Sequence, residues 1–225
     1  MTLRRPVARI NRPIKADGAP RPVMMRRIGL LGGSFNPAHA GHLAISLEAI
    51  KQLRLDQVWW LVAPQNPLKR EAEMADFGER MVSAEALVAG HPGLAVTDLE
   101  QRLGTRYSID TVRWLKRRCR ARFVWLMGAD NLAQLPYWRG WRQLVELVPI
   151  AVVDREPYSY RALAGRMAQR YAARRRAEGD APRLAESPPP AWVYLRLRRQ
   201  KASSTAIRQA RASTRRRPGA KERAS

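Results

Sequence analysis

Short, almost uninterrupted apolar runs alternate along this chain with segments whose apolar residues return every third or fourth position. That alternation restricts the fold more than any other feature. The runs are Ile28–Leu31, Val58–Val62, Phe123–Met127, Ile150–Val153 and Trp192–Leu197, with Leu94–Leu99 alternating more loosely. Runs of this length, bounded by turn residues, read as strands. Between them, Gly41–Leu53 carries Leu43, Leu47 and Ile50 on one helical face, Phe77–Val88 carries Phe77, Met81, Ala84 and Val88, and Ser108–Arg118 carries Ile109, Val112 and Leu115. Trp141–Val148, a long basic Tyr160–Arg176 and a final Ser203–Ala212 complete the predicted helices, with 177–190 as a proline-rich loop. Strands apolar on both sides and separated by helices imply an α/β fold, a doubly wound parallel sheet with helices on both faces. Ligands of such sheets bind beyond the carboxyl ends of the strands, so the residues that follow each strand are the ones to read for function.

Charge divides the chain further. The net charge is +23, and most of it lies at the ends. Residues 1–27 hold eight basic groups and one acid, and residues 196–225 hold eleven and one. The ends are also rich in proline and glycine, as solvated segments are. The expected organisation is a single domain plus basic tails: a Pro/Arg-rich, disordered extension over 1–25, a folded domain over 26–212 and a basic tail over 213–225. Residues 1–25 lack the apolar stretch of a secretory signal, and four prolines break any amphipathic helix there. No apolar run is long enough to span a bilayer. The lone cysteine, Cys119, excludes an internal disulfide framework. A cytoplasmic protein with no membrane association is the expectation.

Four strand exits carry chemistry. The first is Gly32-Gly33-Ser34-Phe35-Asn36-Pro37-Ala38-His39-Ala40-Gly41-His42. Two glycines let the backbone approach a ligand, and the helix that follows presents N–H groups and a positive dipole end to an anion. Two of the three histidines of the chain stand here, three residues apart, on one side of the first turn. Polar side chains at such a place also cap helices, but a histidine pair after Gly-Gly favours phosphate chemistry. The spacing is neither a P-loop nor a dinucleotide fingerprint, and no carboxylate or cysteine nearby completes a metal site. The second exit is Ser203-Ser204-Thr205-Ala206-Ile207-Arg208, three hydroxyls and an arginine at a helix start. The third is Gly128-Ala129-Asp130-Asn131, where a carboxylate suits a ribose or caps the next helix; the fourth is Asn66-Pro67-Leu68-Lys69, whose lysine reaches a phosphate or simply solvent.

Together these segments resemble the nucleotidyltransferase superfamily that carries an H-x-G-H signature. His39-Ala40-Gly41-His42 matches its N-terminal motif and Ser203-Ser204-Thr205-Ala206-Ile207-Arg208 its C-terminal one. Within the superfamily the chain is similar to the bacterial nicotinate-nucleotide adenylyltransferases. The further matches are Gly104-Thr105-Arg106-Tyr107-Ser108-Ile109-Asp110-Thr111, Trp138 with Trp141, and Val153-Asp154-Arg155. The resemblance runs from about residue 27 to about 212; the basic tails and the 160–186 segment depart from it.

The resemblance implies a Rossmann-like domain that joins ATP to nicotinate mononucleotide and releases pyrophosphate. It implies that His42 binds the α-phosphate, that His39 holds the triphosphate, and that Gly33, Ser34 and Phe35 line the ATP site. Ser204, Thr205 and Arg208 would grip the leaving phosphates, with Arg208 counted among the catalytic groups, and Asp130 would hold the ribose. The mononucleotide would lie near Lys69, Tyr107, Ser108, Trp138 and Arg155, with Tyr107 or Trp138 stacked on the pyridine ring. Mg²⁺ would arrive bound to ATP, with no metal held by the protein alone. The rival readings are a sister enzyme, such as a pantetheine-phosphate adenylyltransferase or a cytidylyltransferase, and a basic nucleic-acid-binding protein. The tails favour non-specific contacts at most, so no specific nucleic-acid partner is expected. The sequence leaves the oligomeric state open.

Overall fold

A computed structural model describes residues 25–65, 74–154 and 162–196. The terminal extension 1–24, Lys69, Arg155 and the segment with Ser204, Thr205 and Arg208 lie outside the described residues, as does the predicted Ser203–Ala212 helix.

Seven parallel strands form one sheet in the order β3-β2-β1-β4-β5-β7-β6. They are β1 (Arg26–Gly33), β2 (Gln57–Val62), β3 (Leu94–Thr97), β4 (Ala121–Gly128), β5 (Ile150–Val153), β6 (Arg175–Arg176) and β7 (Trp192–Leu195). The helices are α1 (Ala40–Leu53), α2 (Phe77–Val88), α3 (Leu99–Leu103), α4 (Ser108–Arg118), α5 (Ala129–Gln134), α6 (Trp141–Leu147) and α7 (Arg166–Arg170).

Strand side chains alternate between two cores, because successive residues of a strand point to opposite faces. Phe123, Trp125 and Met127 of β4 join one core with Ile28 and Leu30 of β1, Ile150 and Val152 of β5, and the buried faces of α4, α5 and α6. Val124 and Leu126 join the other with Leu31, Ala151 and Val153, and with Ile45, Ala49 and Leu53 of α1. The sheet is therefore covered on both faces, as the apolar runs require.

Strand order reverses at the centre. The chain leaves β1 toward β2 on one side and leaves β4 toward β5 on the other, while β1 and β4 pair directly. A crevice opens outside the carboxyl ends of two such strands.

Helices Phe77–Val88 and Ser108–Arg118 and strand Ile150–Val153 match the sequence reading in full. Leu94–Leu99 does not remain a strand to its end. The Thr97 hydroxyl accepts the Leu99 N–H at 3.1 Å, and α3 begins at Leu99. The basic helix expected over Tyr160–Arg176 is also corrected. Among the described residues of this span, Ala162 and Leu163 are helical, the helix is interrupted at Ala164 and Gly165, and α7, a 3₁₀ turn at Ala172–Arg174 and the two-residue β6 follow. Gly165 caps α7, and after Tyr171 every residue to Asp180 is exposed, so no apolar stripe holds a longer helix to the sheet. Conversely, much of the expected 177–190 loop is a 3₁₀ helix, Glu178–Glu186. Ala181, Leu184 and Ala185 bury themselves in the α1 core, and Pro182, which has no N–H to give, suits the tighter turn.

Candidate active site

β1 ends at Gly33 and the chain turns through Ser34–Ala38 into α1. His39 is the N-cap residue, with extended backbone at φ −151°. Its Nδ1 accepts the Gly41 N–H at 3.0 Å, and the His42 Nδ1 accepts the His39 N–H at 3.2 Å. This is a reciprocal capping box built from two histidines. The capping and phosphate readings of the pair are therefore compatible. With Nδ1 accepting in both rings, the neutral imidazole carries its proton on Nε2, which makes Nε2 the donor atom of each ring. The first turn of α1 holds no acidic side chain, so its positive end is not offset from within.

The pair is braced from behind. The two imidazoles stack at 3.9 Å between centroids, and Phe35 lies 4.8 Å from the His42 ring. Phe35 in turn stacks on Trp60 of β2 at 4.9 Å and 12°. Trp60 Nε1–H donates to the Ser46 hydroxyl at 2.7 Å, and that hydroxyl donates to the His42 carbonyl at 2.9 Å. Phe35 sits at φ +46°, a left-handed conformation that a bulky side chain adopts only when its surroundings hold it there.

Beside β1 stand β4 and the segments that follow it. A Cβ at Gly32 would lie 2.7 Å from the Trp125 ring, so glycine is required there and the indole lies across the end of β1. Trp138 meets Trp125 edge to face at 6.3 Å. The Arg139 guanidinium lies 4.9 Å over the Tyr107 ring, and Gly140 packs against Ile109 of α4. The loop bearing Trp138 is thereby held to the start of α4, which brings Tyr107, Ser108 and Trp138 together. Asp130, in the first turn of α5, has a buried Oδ1 with no hydrogen-bond partner among the described residues, and the Trp125 Nε1 shares that condition. Buried polar atoms are rarely left so, and each such group asks for a ligand or other explanation.

Among the described residues no three His, Cys, Asp or Glu side chains gather to hold a metal ion, and no helix is long and apolar enough to cross a membrane.

Residues 30–210 match a family model described as cytidylyltransferase-like. A protein of Methylorubrum extorquens, named a probable nicotinate-nucleotide adenylyltransferase, is 52% identical over 183 residues, covering 81% of this chain and 98% of the relative. One of a Bradyrhizobium species with the same name is 53% identical, covering 81% and 95%. This chain belongs to the nicotinate-nucleotide adenylyltransferase family. The fold agrees with a solved structure, a Plasmodium falciparum nicotinic acid mononucleotide adenylyltransferase complexed with NaAD. The two superpose with a TM-score of 0.61 over 82% of this chain and 83% of that one, at 14% identity.

Two buried charged groups of this family member escaped the sequence reading. Arg80 is 2% exposed, and its guanidinium is hydrogen-bonded to main-chain carbonyls on three sides. Burial draws its pKa down and the charge of Asp76 opposes this, but an arginine keeps its proton in a protein. Its place beside Met81 and Ala84 on the apolar stripe of α2 was the available signal. The other is Glu100 of α3, 6% exposed. Its carboxylate accepts the Thr111 hydroxyl at 3.2 Å, and Thr111 shares a 2.9 Å hydrogen bond with the Thr105 hydroxyl. The network fixes the Gly104–Tyr107 turn to α4.

Burial pushes the Glu100 pKa up to about 7, against a smaller opposing effect of the Thr111 hydrogen bond. The folded chain therefore holds this proton more tightly than the unfolded chain does. Its contribution to stability is complete below the unfolded value of 4.5 and is lost as pH rises through about 7. Glu100→Gln is expected to leave melting unchanged near pH 4 and to stabilise the fold by roughly 3 kcal/mol near pH 8. Thermal melts of both proteins across that range test this; parallel curves would show that Glu100 titrates normally.

Proposed function

We propose that this chain transfers the adenylyl group of ATP to nicotinate mononucleotide, forming nicotinate adenine dinucleotide and pyrophosphate in NAD biosynthesis. The observation that carries the reading is the histidine capping box at the start of α1, directly after the strand at which the strand order reverses. The 52% identity to a relative named for this activity supports the choice of substrate.

In the reaction a phosphate oxygen of the mononucleotide attacks the α-phosphorus of ATP, and the bond to the bridging oxygen of pyrophosphate breaks in line. Such a transfer needs alignment and neutralisation of negative charge, and no side-chain nucleophile. His42 Nε2–H meets the α-phosphate, where charge develops, and His39 holds the triphosphate beside Gly33, Ser34 and Phe35. The orphaned Asp130 Oδ1 accepts a ribose hydroxyl. Trp138 or Tyr107 stacks on the pyridine ring, with Ser108 at the helix start below its carboxylate. As the family resemblance implies, Lys69 and Arg155 lie with the mononucleotide, and Ser204, Thr205 and Arg208 grip the leaving phosphates. Mg²⁺ enters with ATP as part of the substrate. The catalytic domain is residues 26–212, and the compartment is the cytoplasm.

Pyrophosphate release from ATP and Mg²⁺ tests the assignment with three acceptors: nicotinate mononucleotide, nicotinamide mononucleotide and phosphopantetheine. The expected result is rapid release with the first and at least about a tenfold lower rate with the second, since a neutral amide forfeits charge-assisted hydrogen bonds. Equal rates with both pyridines would overturn the specificity, and release with phosphopantetheine alone would move the chain to a sister enzyme.

A further inference from the structure

Arg80 is a charge in an unusual place. Its Nη1 donates to the Ser34 carbonyl at 2.8 Å and to the Ala63 carbonyl at 2.7 Å, its Nη2 to the Pro64 carbonyl at 2.8 Å, and its Nε to the Ala75 carbonyl at 3.0 Å. Ser34 belongs to the loop that leaves β1 for the histidines. Ala63 and Pro64 belong to the chain leaving β2, and Ala75 to the stretch that enters α2.

The four acceptors share one property: each is a neutral dipole. They satisfy the N–H groups of the guanidinium without cancelling its charge. No carboxylate among the described residues pairs with it. Asp76, whose charge acts on Arg80, caps α2 through the Gly78 N–H. The arginines at 27, 102, 113 and 122 differ, since each forms an ion pair with an acid near the surface. Burying an unpaired charge is costly, and carbonyl hydrogen bonds recover only part of that cost. A charge behind a low-dielectric wall also acts more strongly on a nearby anion than one in solvent.

We infer that Arg80 is a positioning residue that lends a permanent positive charge to the phosphate site through the β1 and β2 loops, without touching the ligand. This rests on the reading that nucleotide phosphates bind at the start of α1. Arg80 ties the two loops to one rigid centre, and its field favours each negative charge bound against them.

A structural role alone would weaken all ligands alike, whereas a field discriminates by charge. Adenosine and MgATP binding are therefore measured by calorimetry on the full chain, and the readout is the ratio of the two dissociation constants. In Arg80→Gln, MgATP is expected to lose about tenfold in affinity while adenosine changes less than about threefold. Arg80→Lys keeps the charge and loses the fork, so its ratio is expected to stay within about threefold of the parent. If Arg80→Gln does not fold, Arg80→Lys decides alone, and a tenfold collapse of its ratio overturns the inference. So does an unchanged ratio in a folded Arg80→Gln. Failure of the unaltered chain to bind MgATP would instead overturn the functional reading beneath it.

Discussion

His42→Ala is expected to lower kcat by about three orders of magnitude while the dissociation constant for ATP moves less than about tenfold. The reason lies in the timing of the charge. Ground-state ATP is held by many contacts, but charge on the α-phosphate oxygens changes as the new bond forms, and a fixed donor aimed there acts mainly on that state. The His42 ring cannot drift, since its Nδ1 is tied to the His39 N–H and its faces meet His39 and Phe35. The substitution also opens half of the capping box, at about 1 kcal/mol. His42→Gln separates the two effects, because glutamine at this position can still take the N-cap N–H. Its melting is expected to match the parent while turnover stays as low as in His42→Ala. Turnover of either variant within tenfold of the parent would reduce His42 to a cap.

Trp60→Ala is expected to cost about 3–5 kcal/mol of stability, a large share of the roughly 5–15 kcal/mol that holds a typical domain. Trp60 is fully buried, so its loss leaves a cavity in the core. It also removes the surface against which Phe35 is stacked at φ +46°. Released, Phe35 relaxes to a negative φ and the His42 ring loses a neighbour. Turnover per folded molecule should therefore fall as well. Trp60→Phe keeps a ring under Phe35 but loses the N–H to Ser46 and leaves part of the indole volume empty, at about 1–2 kcal/mol in all. Its turnover is expected to stay near that of the parent. Denaturant melts with activity measured on the folded fraction check both; a Trp60→Ala protein within about 1 kcal/mol of the parent would refute the bracing.

The parts of this molecule that were legible in the sequence are those whose cause is local. The Phe77–Val88 and Ser108–Arg118 stripes and the Ile150–Val153 run state their own burial, and Gly32-Gly33 with His39 and His42 states its own turn and helix start. What escaped depends on distant partners. Arg80 is held by a carbonyl 46 residues away, at Ser34. The Gly32 requirement comes from the Trp125 ring, and the register of β1 against β4 alone brings the two together. The 160–176 segment holds no long helix because the described residues beyond Tyr171 have no buried place against the sheet. The Glu178–Glu186 turns are the reverse case, where three small or branched apolar residues found room over α1.

The strand order has a temporal side. Arg26 of β1 pairs with Ala121 of β4, 95 residues further along. During synthesis the segment with both histidines is therefore complete long before the strand that closes the other side exists. Until β4 emerges, one edge of β1 is an unpaired row of N–H and C=O groups beside a hydrophobic face, which invites association with other chains. Parallel pairing across so long an interval is also slow, since the loop must close before any contact rewards it. A nascent chain of this architecture thus passes through a vulnerable interval in which the proposed phosphate-binding helix start stands without its partner strand. The nucleotide can stabilise the finished domain by mass action, but it has nothing complete to bind while that domain is being made.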